Sequence, residues 1–226
     1  MRVPGWKRLL VATLSMVLAL AATAAGAAQF EGIGIKVGAT SSHMRLDGPG
    51  YGSSKANTGL VIGSFADVAL SASVVFQPAL VFVRRGGTYH DLSSSLTNTQ
   101  VGADELVLRR DYLELPLLLR YNGPWRHALP LNLIAGPSLG WVLAYEVEED
   151  GQDLTRQVTE DGVELDRESG GYDLSLILGA GFTHSLWGRP LTLDAVYRMA
   201  SDGTSSDAPG SSFVADGIDV TLGLRF

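Results

Sequence analysis

The chain has 226 residues, no cysteine, 27 glycines, 8% aromatic residues and a formal net charge of −7. It therefore has no disulfide framework, its acidity argues against nucleic acid as a partner, and so many glycines beside so few aromatics make poor material for a packed helical core.

At the amino terminus Arg2, Lys7 and Arg8 precede an uncharged stretch from Leu9 to Ala25, and Ala25-Gly26-Ala27 offers the small-x-small pattern of a signal-peptidase site. Residues 1–27 thus read as a cleaved secretory signal and residues 28–226 as one domain, the mature chain beginning near Ala28 or Gln29. A retained transmembrane helix is the rival, because the apolar stretch is nearly long enough to span a bilayer. The small-residue end and the β-rich remainder favour cleavage, which removes three basic residues and leaves the mature chain more acidic.

Apolar alternation and turn residues then mark eight candidate strands: about 30 to 41, 56 to 66, 69 to 86, 107 to 122, 130 to 146, 171 to 185, 190 to 200 and 214 to 226. The second offers no clear face. In the fourth, Leu113, Leu115, Leu117, Leu119 and Tyr121 alternate with Tyr112, Glu114, Pro116, Leu118 and Arg120. In the fifth, Leu131, Leu133, Leu139, Trp141, Leu143 and Tyr145 share a face opposite Asn132, Gly136, Ser138, Gly140 and Ala144. Leu191, Leu193, Ala195, Tyr197 and Met199 oppose Thr192, Asp194, Val196 and Arg198 in the seventh. The last strand is the most regular, with Ile218, Val220, Leu222, Leu224 and Phe226 on one face and Gly217, Asp219, Thr221, Gly223 and Arg225 on the other.

Connections after the second, fourth and sixth strands are short (Asp67-Val68, Gly123 to Leu129, Leu186 to Arg189), whereas the others run from roughly 13 to 25 residues. Alternating short turns and long loops, an even strand number and an aromatic final residue are what an all-β, eight-stranded antiparallel up-and-down transmembrane barrel requires, with periplasmic turns, external loops and both termini inside. Trp125 and Trp187 by the turns, with Tyr121 and Phe226 at neighbouring strand ends, fit an interfacial aromatic girdle.

That fold gives the glycines a purpose. Gly32, Gly34, Gly38, Gly136, Gly140, Gly179, Gly181, Gly217 and Gly223 fall on the interior face with Lys36, Gln77, Glu114, Arg120, Asp194, Arg198, Asp219 and Arg225. An eight-stranded barrel is only wide enough for side chains to fill, so long charged groups must project into space that glycine vacates. The expectation is an interior plugged by paired charges (Lys36, Glu114, Arg120, Asp194, Arg198, Asp219 and Arg225), since buried charge is tolerated only when paired.

Several segments resemble the small outer-membrane barrels called PorT-like or "porin family" proteins, whose membrane part looks like the OmpA barrel. They are Gly34 to Gly38, Phe76-Gln77-Pro78-Ala79-Leu80, Tyr112 to Tyr121 (YLELPLLLRY), Ala135 to Gly140 and Leu178 to Phe182. The resemblance covers nearly the whole mature chain and implies fold and an outer-membrane location in a Gram-negative bacterium. It also implies recognition of the terminal strand, ending in Phe226, by the barrel-assembly machinery. It implies no uniform activity. Ala79 stands where an acidic residue is common in that family, which implies that one interior charge pair is missing here.

Chemistry-bearing motifs are sparse. The segment Glu146 to Glu168 holds ten acidic residues and two basic ones, Arg156 and Arg167, and reads as a solvated external loop with a hairpin turn at Asp161-Gly162. Glu146, Glu148, Asp150 and Gly151 imitate the opening of a calcium loop, but Gln157 stands at its twelfth position. Divalent cations bridging to lipopolysaccharide phosphates are the functional alternative for this loop.

His43, His90, His127 and His184 lack metal-ligand spacing, and His43 and His90 read as loop residues. His184-Ser185 suggests hydrolase chemistry, but adjacent strand residues point to opposite faces and both lie beside a turn, the wrong end for an outer-leaflet lipid. No catalytic residue, metal or cofactor is assigned.

The expected role is a monomeric structural or surface-interaction protein in contact with outer-membrane lipid and lipopolysaccharide. Its Ser- and Gly-rich loops, Ser41 to Lys55, Gly87 to Leu106 and Ser201 to Phe213, present a polar surface to an external ligand of unspecified kind. The alternatives are a narrow channel for ions or small solutes, a lipid-modifying enzyme, and a soluble lipocalin-like barrel with its faces reversed.

Overall fold

The computed structural model describes residues 28–46, 55–90, 105–124, 130–149, 152–153, 172–200 and 213–226, and in them the alternating segments are antiparallel strands. These are β1 (Gln29–Leu46), β2 (Lys55–Ala69), β3 (Val74–His90), β4 (Glu105–Tyr121), β5 (Leu131–Glu149), β6 (Gln152–Asp153), β7 (Tyr172–Leu186), β8 (Arg189–Ala200) and β9 (Phe213–Arg225). Residues 1–27, Trp125, His127 and most of the acidic loop lie outside the described residues.

Pairing runs β1-β2-β3-β4-β5-β7-β8-β9 and returns from β9 to β1, so eight strands close on themselves, while β6 is a two-residue piece paired to the end of β5. Closure removes every sheet edge from the wall, the condition for backbone groups to sit in hydrocarbon. Following partners from Phe30 through Val68, Phe76, Leu119, Ala135, Leu178, Tyr197 and Ile218 leads back to β1 at Ser41, well up the strand from the starting point. Such stagger tilts barrel strands by roughly 35–45°.

The start of β1, the end of β9 and the described short turns share one end, where Phe226 N–H donates to the Ile33 carbonyl at 2.8 Å. The first turn is Leu70 to Ser73, and not Asp67-Val68 as expected. Ser71 Oγ accepts from Val74 N–H at 3.1 Å there, which leaves Asp67 inside β2 with its side chain in the barrel. Strands also run further at the loop end than the apolar pattern suggests. Ser41 to Leu46 pair with Phe213 to Ile218, so His43 is an exposed strand residue, not a loop residue, and His90 ends β3. The hydropathy pattern reads lipid contact, whereas the ladder of hydrogen bonds continues past it.

One register shift changes a face. Asp111 pairs with Ala144 but Tyr112 pairs with Val142, so Leu143 is an inserted bulge. Beyond it the alternation is inverted: Ala144, expected inside, is exposed outside, and the backbone of Tyr145 pairs with Arg110. Tyr121 and Phe226 also need correction, for they share the turn end but lie on strands separated by β1, β2 and β3.

Candidate functional site

The barrel interior holds the chain's concentrated polar chemistry among the described residues. Lys36, Arg85, Glu114, Arg120, Asp194, Arg198 and Asp219 are each no more than 8% exposed, though every one is a charged residue. They form two layers.

In the layer nearer the turns, the Arg225 guanidinium bridges the Glu31 and Asp67 carboxylates, 3.0 Å from the latter. The other Asp67 oxygen accepts from Gln77 Nε2 at 2.7 Å, and Gln77 Oε1 accepts from Lys36 Nζ and Arg120 Nη1, each at 3.3 Å. Arg120 grips Asp194 through two hydrogen bonds of 2.8 and 2.9 Å and donates to Asn132 Oδ1 at 2.9 Å. The fork of a guanidinium suits this two-point contact. Space for it comes from Gly181, where a Cβ would lie 2.2 Å from Asp194 Oδ1.

In the layer nearer the loops, two guanidiniums share two carboxylates. Arg85 donates to Asp219 at 3.1 and 3.3 Å and lies 3.4 Å from Glu114, while Arg198 lies 2.6 Å from Glu114 and 3.8 Å from Asp219. The Thr40 and Ser175 hydroxyls accept further bonds from Arg85 and Arg198.

Apolar side chains separate the layers on strand after strand. Ala79, Val81 and Val83 stand between Gln77 and Arg85 on β3, and Leu118 between Arg120 and Glu114 on β4. Ile134 follows Asn132 on β5, Ile177 precedes Gly181 on β7, and Val196 lies between Asp194 and Arg198 on β8. Phe65 completes this belt, its ring in the space left by Gly34, whose Cβ would come within 2.3 Å of it. Ala79 belongs to this apolar cluster.

The outer face is the converse. Ile33, Ile35, Leu60, Ile62, Leu80, Leu133, Trp141, Phe182, Leu193, Tyr197, Ile218 and Leu222 are exposed. A charged tier begins only toward the loops, where Arg84 holds Asp111 with bonds of 2.7 and 2.9 Å and Arg109 lies 2.9 Å from Glu148 and 3.8 Å from Glu146. The Leu143 bulge places those two glutamates outside. Between this tier and Glu31 and Arg189 at the turn end, no Asp, Glu, Lys or Arg side chain faces outward among the described residues.

Of the charged residues expected inside, Glu114, Arg120, Asp194, Arg198 and Asp219 join ion pairs within the barrel, and Arg225 does so at its rim. Lys36 is inside but makes no ion pair among the described residues; its ammonium meets Gln77 and stands 5.2 Å from the Phe65 ring centroid. Sequence reasoning missed Arg85 and Asp67. The parity of Gln77 continues through Ala79, Val81 and Val83 to Arg85, and would have found it. Glu146 and Glu148 point to Arg109, whereas Asp150 and Gln157 of the calcium-like spacing lie outside the described residues. His184 and Ser185 are both exposed, His184 stacking near Phe182. Among the described residues no group of three or more acidic or His side chains is arranged to hold a metal ion.

The family described as outer membrane protein beta-barrel domain matches residues 27–200. Comparison with curated proteins finds no match. Among solved structures, Ail, the attachment invasion locus protein of Yersinia pestis, in complex with the heparin analogue sucrose octasulfate, is 15% identical over 87% of this chain and 99% of its own, with a TM-score of 0.42. Neisserial surface protein A is 11% identical over 88% of this chain and 99% of its own, with a TM-score of 0.48.

Proposed function

The chain belongs to the outer membrane protein β-barrel domain family, and on that premise we propose that it is a monomeric, closed barrel with a structural or surface-interaction role. Its lumen conducts nothing, and its external loops carry whatever recognition it performs. The finer placement within the PorT-like group rests on the segment Tyr112 to Tyr121. Residues 1–27 act as a signal for export to the outer membrane of a Gram-negative cell, and the barrel-assembly machinery reads the strand that ends in Phe226. Lipid and lipopolysaccharide are its surroundings. No catalytic role is assigned.

The observation that carries this reading is the apolar belt between two charge layers. A hydrated path along the axis would have to pass Phe65, Val81, Leu118, Ile134 and Ile177, whose side chains offer water no hydrogen bonds. Above and below, each guanidinium is already engaged by protein oxygen. Planar-bilayer recording of the purified barrel tests the reading. The expected trace stays at the baseline of the bare bilayer after insertion; unitary steps that scale with the number of inserted barrels would replace the closed barrel with the narrow channel.

A further inference from the structure

Among the described residues the apolar exterior has a marked hollow. It lies on the outer face toward the turn end, has a volume of about 430 Å³, and is walled by Ile33 and Ile35 of β1, Leu80 of β3 and Leu115 of β4. Its floor is low because the outward residues of β2 there are Ser64 and Ala66.

The wall itself is interrupted at this place. Pro78 on β3 has no N–H to give, and pairing between β2 and β3 passes from Phe65 with Ala79 directly to Val68 with Phe76. On the other side of β3 it passes from Pro78 with Leu117 to Val81 with Glu114. Proline in the middle of a fully paired wall is unfavourable. Here it coincides with the small outward residues that open the groove.

At the base of the groove stands the Phe226 ring, and over that ring, 5.0 Å from its centroid, lies the Arg189 guanidinium. Arg189 is exposed and makes no ion pair among the described residues. Held by that ring and by no carboxylate, it stands at the level where the apolar exterior ends on the turn side, beside a groove that runs up into the apolar band.

We propose that this groove is a site for one glycerophospholipid of the periplasmic leaflet, with an acyl chain lying between Ile35 and Leu80 over Ser64 and Ala66 and its phosphate at Arg189. Bulk lipid touches the whole barrel, but here, among the described residues, a recess for a chain lies beside a cation that no carboxylate holds. The proposal rests on the outer-membrane reading above, which puts hydrocarbon against this face and the turns in the periplasm. Lipopolysaccharide is not the occupant, because it belongs at the opposite, loop end, where Arg84 and Arg109 are already held by carboxylates.

Native mass spectrometry of the detergent-solubilised barrel with added dipalmitoyl phosphatidylethanolamine tests the site. Wild type is expected to hold one lipid at low lipid concentration. Ala66→Phe, which fills the groove, and Arg189→Ala, which leaves the wall untouched, should each weaken that adduct about tenfold, while Ala195→Phe on another stretch of wall changes it less than twofold. Equal adducts in all four proteins, or none in wild type, overturn the site. Each sample is also run unheated and boiled on a denaturing gel. A wild type without a heat-dependent shift removes the membrane reading and the site with it, whereas a shifted barrel with no preferred lipid removes the site alone.

Discussion

Asp194 is the only carboxylate paired to Arg120 among the described residues, whereas Arg85 and Arg198 each approach both Glu114 and Asp219. The three acids therefore differ in what their loss exposes. Breaking a buried ion pair from one side costs about 3–5 kcal/mol because the remaining charge is left without a counter-charge. Asp194→Leu should lose that much, and Asp219→Leu less, since Glu114 still serves both guanidiniums. The Glu114→Leu/Asp219→Leu double variant should lose more than the sum of the two single changes. Urea unfolding of the refolded barrels measures this, and unchanged midpoints for all three single variants would refute a load-sharing interior. Most of these residues were legible because two-residue parity alone assigns Glu114, Arg120, Asp194, Arg198 and Asp219 to one face. Arg85 was obscured by its neighbour Arg84, as two adjacent arginines leave the choice of face to the rest of the strand. Asp67 was obscured by the ambiguous faces of β2 and by the preference of Asp for turns.

At the scale of single elements, strand number and order of appearance are read easily from alternation, while ends and irregularities are not. Strands β1, β3 and β5 outlast their apolar segments because pairing continues above the lipid, where the outward residues become Ser, His, Arg and Glu. The Leu143 bulge has no hydropathy signature, since Leu143 is apolar and Ala144 is neutral to either face. What reveals it is the partner set: Glu146 and Glu148 are satisfied by Arg109 only from outside. The β7–β8 turn shows a local conflict. Trp187 has φ of 52° and is 92% exposed, with Gly188 at 76°. Two left-handed residues suit Asn-Gly, and a bulky residue there is strained. A tryptophan kept at such a place is accounted for by the headgroup region, where its ring is favoured. Trp187→Asn should raise the unfolding midpoint in detergent, a gain in stability of up to about 1 kcal/mol, and lower the yield of folding into lipid vesicles. A lower midpoint in detergent would show that the ring packs on the protein and is no anchor.

For the whole molecule, the decisive property is the inversion of the usual arrangement: apolar residues such as Ile35, Leu80, Leu133, Leu193 and Leu222 outside, and a charge-bearing core inside. A water-soluble barrel of this composition would reverse both faces. The sequence carried this much because most strands alternate clearly, and an even strand number lets β1 close antiparallel on β9. It did not reveal how the interior is layered, because layering depends on stagger between strands that are distant in sequence. The most direct test is migration of the purified mature protein, refolded in detergent, on a denaturing gel with and without boiling. A closed barrel with an apolar exterior predicts a faster unheated band and precipitation when detergent is withdrawn. Identical migration, together with solubility in the absence of detergent, would contradict it.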